Sequence, residues 1–385
     1  MKKLFTVTIA LSFLSFAPRG HFIEERPAVS ASEKVSDAPL LLSSGELLKA
    51  GQLDNLFDEL HARNKFNGAV LVAEQGRIIF KKAYGYCDAQ KLEPITTSSA
   101  FQLASVSKTF TSTAVLMLCD SGVVQLDAHV KEYLPEFPYP SITVRQLLTH
   151  RSGLPDYIKL SKRYWDENIP MSNEDMLRMF VQRKPRLVFS PDTRFKYCNT
   201  NFAMLALIVK HVAHVPFDEF VQHRIFDPLE MTHSFVYSKV NTPDAPSDVV
   251  GLRRTRKGLY EAENTYLNGV VGDKGVYSTV EDLFKFDQAL YTEKLVRQSI
   301  LAQAFAPGSK EFKSDKKNYG LGWRIKQTEN EKIVYHMGLW GGFHTCFMRF
   351  LNEQKTIIIL NNRDKERIFP IVAKMNSLLS PNEEE

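Results

Sequence analysis

The segment from Gln102 to Gly122 reads QLASVSKTFTSTAVLMLCDSG, and the interpretation of the whole chain depends on it. Its second half is apolar and ends at Gly122, a residue type that commonly terminates helices. A helix that begins near Ser105 would place Ser105 and Lys108 on one face, at the positive end of the helix dipole. The segment therefore predicts a helix that presents a hydroxyl and an amine side by side.

This pairing of serine and lysine has a chemical meaning. A serine hydroxyl becomes a good nucleophile only when a neighbouring group removes its proton, and lysine can do so if burial or a nearby cation favours its neutral form. A backbone N–H at a helix N-terminus can hold a developing oxyanion. Ser105 is therefore predicted as an acylated nucleophile and Lys108 as its proton partner. The same Ser-x-x-Lys pattern recurs at Ser314–Lys317, where no apolar helix follows it. The prediction of a nucleophile therefore depends on the position of the motif before an apolar helix, and not on the motif alone.

Composition limits the function classes. The 385 residues are 44% hydrophobic and 24% charged, which is ordinary for a soluble protein and allows one large domain with an inserted lobe, or two domains. The 49 basic and 44 acidic residues are too balanced to predict a nucleic-acid partner. The four cysteines form neither a Cys-x-x-Cys motif nor a zinc pattern. Cys119 and Cys346 are expected to be buried free thiols, although one bridge stays open.

The N-terminus carries two lysines followed by a short apolar run. Residues 1–17 are predicted to be a secretory signal peptide, with a buried structural helix as the alternative. The run is shorter than the roughly 20 residues that a membrane helix needs, and no later stretch is long enough. Residues 18–45 are rich in Ser, Ala, Pro and charge and are predicted to be a flexible lead-in. The protein is therefore expected to be exported, to the periplasm or outside the cell, without a stable membrane span.

The order of predicted elements indicates the fold class. Residues 46–64 suit a helix and residues 68–85 a β-hairpin, and the chain then reads mostly helical before strand signals return. This order predicts an α+β fold, an antiparallel sheet flanked by helices, formed by residues 46–122 and 266–385. An all-helical lobe, residues 123–265, is expected as an insertion. The later strands are predicted at residues 319–325, 332–335, 342–350 and 355–360, with a closing helix at 364–380.

Two further motifs carry groups that a hydrolase could use. Tyr197-Cys-Asn199 precedes an apolar helix; a tyrosine can transfer protons, and an asparagine can hold a substrate amide or a lysine. The alternative is that Tyr197 packs and Asn199 only caps the helix. His336 and Gly338 lie between two predicted strands, where a glycine on an edge strand allows close approach of a ligand. The alternative there is a glycine-rich turn with an exposed histidine.

Together these motifs resemble those of the penicillin-recognising serine hydrolases. Ser-x-x-Lys, then Tyr-x-Asn about ninety residues later, then His-x-Gly near the C-terminus is similar to the branch of class C β-lactamases, D-Ala-D-Ala carboxypeptidases and related esterases. The resemblance covers roughly residues 50–375 and implies the β-lactamase/transpeptidase-like fold. Further stretches that resemble this branch are Leu147–Leu154, Phe189–Thr193, Phe226–Met231 and Ser278–Leu283.

The resemblance implies a role for each matching residue. Ser105 is expected to be the acylated nucleophile, with Lys108 and Tyr197 sharing the proton transfers. Asn199 is expected to hydrogen-bond both the substrate and Lys108. The backbone N–H groups of Ser105 and Leu339 are expected to form the oxyanion hole, and no cofactor or metal is implied.

The chain departs from the family pattern at two positions. Cys198 stands where serine is frequent, and its side chain is expected to point away from the site. His336 stands where many members carry a lysine that binds a substrate carboxylate, whereas histidine is mostly neutral at pH 7. Gly338 is expected to keep the strand open for a ligand. The resemblance thus implies a secreted hydrolase of an amide, peptide or ester, and favours an esterase or D-amino-acid peptidase over a dedicated β-lactamase.

Other functions have less support. A hydrolytically inert module that binds penicillin or peptidoglycan is the main alternative, and the complete set of motifs argues against it. A metalloenzyme is disfavoured because no His-Glu-x-x-His cluster is present, and a Gly-x-Ser-x-Gly elbow is also lacking. The expected partner is a small-molecule or peptide substrate, including peptidoglycan-derived ones. Trp340, Tyr157 and Trp165 are predicted equally as pocket or core residues.

Overall fold

A seven-stranded antiparallel sheet forms the centre of the computed structural model, which describes residues 42–256, 258–308, 318–364 and 368–379. The predicted signal peptide, the lead-in as far as residue 41 and the Ser314–Lys317 motif lie outside these residues. The strands are β1 (Gly68–Glu74), β2 (Arg77–Tyr84), β3 (Phe101–Gln102), β4 (Phe235–Val236), β5 (Leu252–Thr255), β6 (Gly258–Glu261), β7 (Val276–Ser278), β8 (Asn318–Tyr319), β9 (Arg324–Gln327), β10 (Lys332–Trp340), β11 (Phe343–Phe350) and β12 (Lys355–Asn361). The helices are α1 (Ser44–Ala62), α2 (Ser107–Asp120), α3 (Val130–Tyr133), α4 (Val144–Leu148), α5 (Tyr157–Tyr164), α6 (Asn173–Arg183), α7 (Asn199–Ala213), α8 (Phe217–Val221), α9 (Val280–Ala289), α10 (Gln298–Ala304) and α11 (Ile368–Leu379).

The strand order in the central sheet is β2-β1-β12-β11-β10-β9-β8. The predicted hairpin at residues 68–85 is confirmed, because β1 and β2 pair through a turn in which Gln75 and Gly76 have positive φ. Strands β1 and β12 lie in the interior of the sheet and are covered on both faces. They therefore read as continuous apolar runs rather than as an alternation of polar and apolar residues.

The two faces of the sheet contact different sets of helices. On one face, α1 and α11 pack through residues such as Phe57 and Met375, which are fully buried with Val70 and Ile357. On the other face, α9 contacts β1 and β12, and a larger core continues through α2 into the helices of the lobe. The predicted α+β class, an antiparallel sheet with flanking helices, is confirmed.

The strand predicted at residues 319–325 is wrong as a single element. It is divided into β8 and β9 by a turn in which Gly322 has φ +82°. The turn packs so closely on α2 that a Cβ at Gly322 would lie 2.5 Å from the Ser112 Cβ. The split therefore follows from contact with a helix distant in sequence, which local β propensity does not report.

The lobe is helical only in its first part, so the expected all-helical lobe over residues 123–265 is corrected. Helices α3 to α8 occupy residues 130–221, but β4 pairs with β7, and β5 pairs with β6 as a separate hairpin. Three of the four residues in β5 are exposed, so the buried-face alternation that marks a strand is weak there. Among the described helices, none combines the length and apolarity needed to cross a membrane. All four cysteines are free thiols, so no bridge forms.

Candidate active site

Ser105 lies in a single 3-10 turn, Ala104–Val106, that leads directly into α2. The preceding residue, Leu103, fixes this turn from both sides. Its N–H donates to the carbonyl of Val276 at 2.8 Å, and its carbonyl accepts from the Thr345 hydroxyl at 2.7 Å. The predicted start of the helix near Ser105 is confirmed, and the nucleophile candidate is held between β7 and the central sheet.

The backbone immediately before Ser105 is strained. Ala104 has φ +49°, in the left-handed region that costs energy for a residue with a Cβ. Gly338 on β10 faces this turn, and a Cβ there would lie 2.2 Å from the Leu103 carbonyl oxygen and 2.9 Å from the Ala104 Cβ. The space beside Gly338 is therefore filled by the turn Ala104–Val106 that carries Ser105, which we call the nucleophile turn. The expectation that Gly338 leaves its strand open for a ligand is corrected: the glycine lets the turn pack on the strand.

Lys108 is fully buried in the first turn of α2 and has three hydrogen-bond acceptors. Its Nζ lies 3.0 Å from Ser105 Oγ, 3.0 Å from Asn199 Oδ1 and 2.7 Å from the Asp273 carbonyl oxygen. An ammonium group has three protons and can donate to all three. A neutral amine can keep the bonds to Asn199 and Asp273 and direct its lone pair at Ser105, so the same geometry serves both protonation states.

Asn199 is fixed by a second set of bonds. It is the first residue of α7, and both its backbone N–H and its Nδ2 donate to Asp156 Oδ2 at 3.2 Å. The amide oxygen is thereby turned toward Lys108. Cys198, the helix N-cap, is buried and its thiol donates to the Leu154 carbonyl at 3.2 Å, so its side chain lies outside the group around Lys108.

Tyr197 brings an aromatic ring to the same group. Lys108 Nζ lies 5.0 Å from the centroid of the Tyr197 ring, a cation–π distance. The Arg324 guanidinium stands over the same ring at 5.3 Å and over the Tyr319 ring at 5.9 Å. Within the described part of the chain, no carboxylate lies within ion-pair distance of Arg324. Arg324 was not predicted from sequence, because one arginine in a strand is no motif.

The ring of His336 is fully buried and does not line the cleft beside Ser105. Its Nδ1 lies 2.9 Å from the Met337 carbonyl and must donate, so its Nε2 accepts from the Tyr319 hydroxyl at 3.1 Å. The Tyr319 oxygen then accepts from His150 Nε2 at 3.2 Å, and His150 Nδ1 accepts from the backbone N–H of Cys198. Both imidazoles are thus neutral members of one chain of hydrogen bonds.

Electrostatics agree with this assignment. Burial lowers the pKa of His150 and that of His336 well below the usual value of 6.5, and the nearby cations Lys108 and Arg324 lower both further. Burial also raises the pKa of Tyr319 well above its usual range. The ring of His336 therefore lies beneath the cleft wall and outside the cleft lining. A direct contact between its ring and the substrate stays a prediction.

The cleft has a volume of about 240 Å³ and opens beside Ser105. Strand β9 pairs only with residues Lys332–Tyr335 of β10, so in the described residues the edge of β10 from His336 onward carries no neighbouring strand on that side. Leu339 lies on this edge, is exposed and lines the cleft. The residues that line the cleft are Ser105, Tyr197, Asn199, Asp273, Lys274, Arg324, Met337, Leu339 and Trp340.

The loop Gly272–Gly275 supplies functional residues that were not predicted. Asp273 provides the third acceptor for Lys108, and Lys274 lies beside it in the cleft wall. The available signal was a charged pair between two glycines immediately before a buried strand. Of the aromatic residues left undecided between pocket and core, Trp340 lines the cleft. Tyr157 is fully buried and bonded to Asp273, and Trp165 packs against the core.

A serine bonded to a buried lysine, at the start of a helix that packs on an antiparallel sheet, defines the serine hydrolases of the β-lactamase fold. The Beta-lactamase family model matches residues 53–373, and this chain belongs to that family.

Known relatives agree with this assignment. The chain is 33% identical over 329 residues to penicillin-binding protein 4* of Bacillus subtilis, covering 83% of this chain and 73% of that protein. It is also 27% identical over 318 residues to a D-aminopeptidase of Cereibacter sphaeroides. This match covers 81% of this chain but only 60% of the length of the D-aminopeptidase. The crystal structure of a penicillin-binding protein from Bacillus halodurans shares the fold, with a TM-score of 0.74 at 24% identity over 85% of this chain and 98% of the other.

Proposed function

We propose that the protein hydrolyses an amide, peptide or ester through an acyl-enzyme on Ser105. The observation that carries this proposal is the placement of Lys108 Nζ between Ser105 Oγ, Asn199 Oδ1 and the Asp273 carbonyl. A neutral buried amine that donates to two other acceptors directs its lone pair at the serine hydroxyl. It can therefore receive the proton of that hydroxyl.

The reaction would proceed in two steps. In the first, Ser105 Oγ bonds to the substrate carbonyl carbon while its proton passes to Lys108. The N–H groups of Ser105 and Leu339 stabilise the oxyanion. As the C–N or C–O bond breaks, the leaving atom takes a proton from Lys108, directly or through the Tyr197 hydroxyl. In the second step a water molecule gives a proton to the same base, and its oxygen bonds to the acyl carbon. The bond between this carbon and Ser105 Oγ then breaks and Oγ takes the proton back from the base, which releases the acid and free Ser105.

The charges that line the cleft favour a substrate with a carboxylate. Arg324 stands over the Tyr197 ring with its donors available, and a guanidinium binds carboxylates through paired hydrogen bonds. His336, which is neutral and buried, does not supply such a charge. A peptide with a free C-terminus next to the scissile bond fits this arrangement. The names of two relatives, a penicillin-binding protein and a D-aminopeptidase, support peptides of D-amino acids, including peptidoglycan-derived ones, over a dedicated β-lactamase function.

We also propose that the protein works outside the cytoplasm, in the periplasm or the extracellular space. The basis is the signal-peptide pattern of residues 1–17 together with a peptidoglycan-type substrate.

A penicillin-binding or peptidoglycan-binding module without turnover is the second candidate, and it differs from the first only in the deacylation step. One observation favours the enzyme: Lys108, the proposed base for both steps, is hydrogen-bonded to Ser105 Oγ, the atom that would carry the acyl group. A sensor would form one acyl-enzyme equivalent and stop, whereas an enzyme would release product repeatedly.

The test compares the wild-type protein with Ser105→Ala, using a fluorescent penicillin and a fluorophosphonate as covalent probes. We expect the wild-type protein to be labelled at Ser105, as located by mass spectrometry, and the variant to show no labelling. The matched control is Ser107→Ala, which removes a neighbouring hydroxyl whose oxygen accepts a hydrogen bond from the backbone N–H of Val276 at 3.1 Å. Full labelling of Ser105→Ala would exclude Ser105 as the nucleophile. Turnover of p-nitrophenyl esters and D-Ala-D-Ala peptides then separates an enzyme from a sensor.

A further inference from the structure

Lys274 is a buried lysine in the wall of the cleft. Only 3% of its side chain is exposed, and all three of its protons have acceptors. Its Nζ lies 2.6 Å from the Tyr157 hydroxyl, 3.1 Å from the Val270 carbonyl and 3.3 Å from Asp273 Oδ1. The ammonium also stands 5.0 Å from the centroid of the Trp340 ring. Since no donor is left for a substrate, Lys274 must act through its neighbours.

Asp273 contacts the proposed general base and Lys274 with different atoms. Its backbone carbonyl accepts from Lys108 at 2.7 Å. Its carboxylate, only 2% exposed, accepts from the Tyr157 hydroxyl at 3.1 Å and pairs with Lys274. The residue that anchors Lys108 therefore also places a buried negative charge close to it.

A buried carboxylate without a counter-ion stabilises the charged form of a neighbouring amine. Lys108 would then remain an ammonium and could not accept the proton of Ser105. We propose that Lys274 is the counter-ion that neutralises Asp273, so that the Asp273 carbonyl can hold Lys108 without its carboxylate keeping Lys108 protonated. Lys274 is thus a positioning residue for the proposed acylation, and this inference rests on the proposed function.

The groups around this cluster support that assignment. Burial lowers the pKa of Lys274, and the Asp273 carboxylate opposes that effect, as expected for an ion pair. Burial and the nearby carboxylates raise the pKa of Tyr157 well above its usual range, so Tyr157 stays a neutral donor to Asp273. One further carboxylate, Asp156, is occupied by the bonds that it accepts from Asn199. Among the described residues, the Tyr197 ring lies against Lys108, His150 and His336 lie near enough to feel its charge, and Arg324 stands over the same Tyr197 ring.

The experiment measures kcat/KM for p-nitrophenyl butyrate from about pH 5 to about pH 10 in the wild-type protein and in Lys274→Met. The acidic limb of this profile reports the free enzyme's essential base. With Asp273 left unneutralised, we expect the limb to move to higher pH by about one to two units. The rate on the high-pH plateau should change by less than about threefold, because the Asp273 carbonyl still anchors Lys108. The double variant Asp273→Asn/Lys274→Met removes both charges and should return the limb to within about half a unit of the wild-type position.

Lys355→Met is the matched control, because Lys355 is also a buried lysine, only 2% exposed, but lies at the start of β12 and pairs with Glu353. It should lower stability without moving the limb. A Lys274→Met variant that loses activity equally at every pH, without recovery in the double variant, would overturn the inference.

If Lys274→Met does not fold, the single variant Asp273→Asn decides the question. The acidic limb of its pH profile must not move to higher pH, and a shift to higher pH contradicts the proposal. A wild-type protein that neither acylates Ser105 nor turns over the ester would reject the proposed function itself, a result distinct from an unshifted limb in an active enzyme.

Discussion

Replacing Gly338 by alanine tests how the nucleophile turn is held against the sheet. The added Cβ would lie 2.2 Å from the Leu103 carbonyl oxygen, 2.4 Å from Thr345 Oγ1 and 2.9 Å from the Ala104 Cβ. The Thr345 hydroxyl can rotate, but it would then lose its bond to the Leu103 carbonyl. The carbonyl oxygen belongs to the backbone, so β10 and the turn must separate by about 1 Å to restore normal van der Waals contact.

This displacement should cost both stability and rate. Overpacking of a well-packed interior typically costs about 1–3 kcal/mol of unfolding free energy. A shift of about 1 Å in a catalytic group can lower the rate about 100-fold, which corresponds to about 2.7 kcal/mol of transition-state stabilisation. Ser105 follows Ala104 directly and moves with the turn, whereas Arg324 on β9 does not. We therefore expect Gly338→Ala to lower kcat about 100-fold and to change KM less than about threefold.

The assay combines ester hydrolysis with urea denaturation of the same preparations. Gly51→Ala is the matched control, because Gly51 is exposed in α1 and nothing lies within 4 Å of the position that a Cβ would take. Alanine should stabilise that helix by about 0.5–1 kcal/mol and leave kcat unchanged. A Gly338→Ala protein with wild-type kcat and wild-type stability would refute the packing argument, since the turn would then tolerate a methyl group that the geometry excludes.

Two further predictions concern charges around the cleft. Arg324→Met should raise KM about tenfold or more for peptides that end in a carboxylate, because it removes hydrogen bonds to a charged group. The same change should alter kcat/KM for an uncharged ester less than about threefold. Equal losses for the peptide and the ester would contradict a carboxylate site. His150 and His336, whose pKa values are depressed, stay neutral when folded and take up protons only on unfolding as the pH falls below about 6.5. Stability should therefore fall by up to about 1.4 kcal/mol per pH unit for each histidine between pH 6.5 and pH 5 in urea titrations, and an unchanged midpoint would contradict their burial as neutral rings. The exposed control His223→Gln should keep this slope.

Features defined by local sequence were predicted well. The hairpin of β1 and β2 and the start of the helix near Ser105 are both found where the residues indicated them. Each depends on residues only a few positions apart, so a short sequence window contains the cause. Ser105, Lys108 and Asn199 were also predicted to lie together, and the structure places them within hydrogen-bond distance. Three motifs in a fixed order carry more information than any one of them.

Features defined by packing between distant segments were not predictable in this way. Gly338 was interpreted as an opening for a ligand, but the turn that fills this space comes from more than two hundred residues earlier in the chain. The burial of His336 could not be read from its motif either, because its ring hydrogen-bonds to Tyr319, whose position depends on the split of one predicted strand into two. The charged pair Asp273-Lys274 between two glycines did not reveal the proposed role of Lys274, because that role depends on a charge that only tertiary contacts place beside Lys108.

The acceptors of Lys108 show why Ser-x-x-Lys alone is a weak motif. Only the bond to Ser105 is local, at a separation of 3 residues; those to Asn199 and Asp273 span 91 and 165 residues. A buried amine with one partner would pay most of its desolvation cost without compensation, and it would have no fixed direction for its lone pair. The two distant acceptors supply both the compensation and the direction. The chemistry of the motif is therefore a property of the fold, and a Ser-x-x-Lys sequence acquires it only where two further chain segments deliver an amide oxygen and a backbone carbonyl to the same amine.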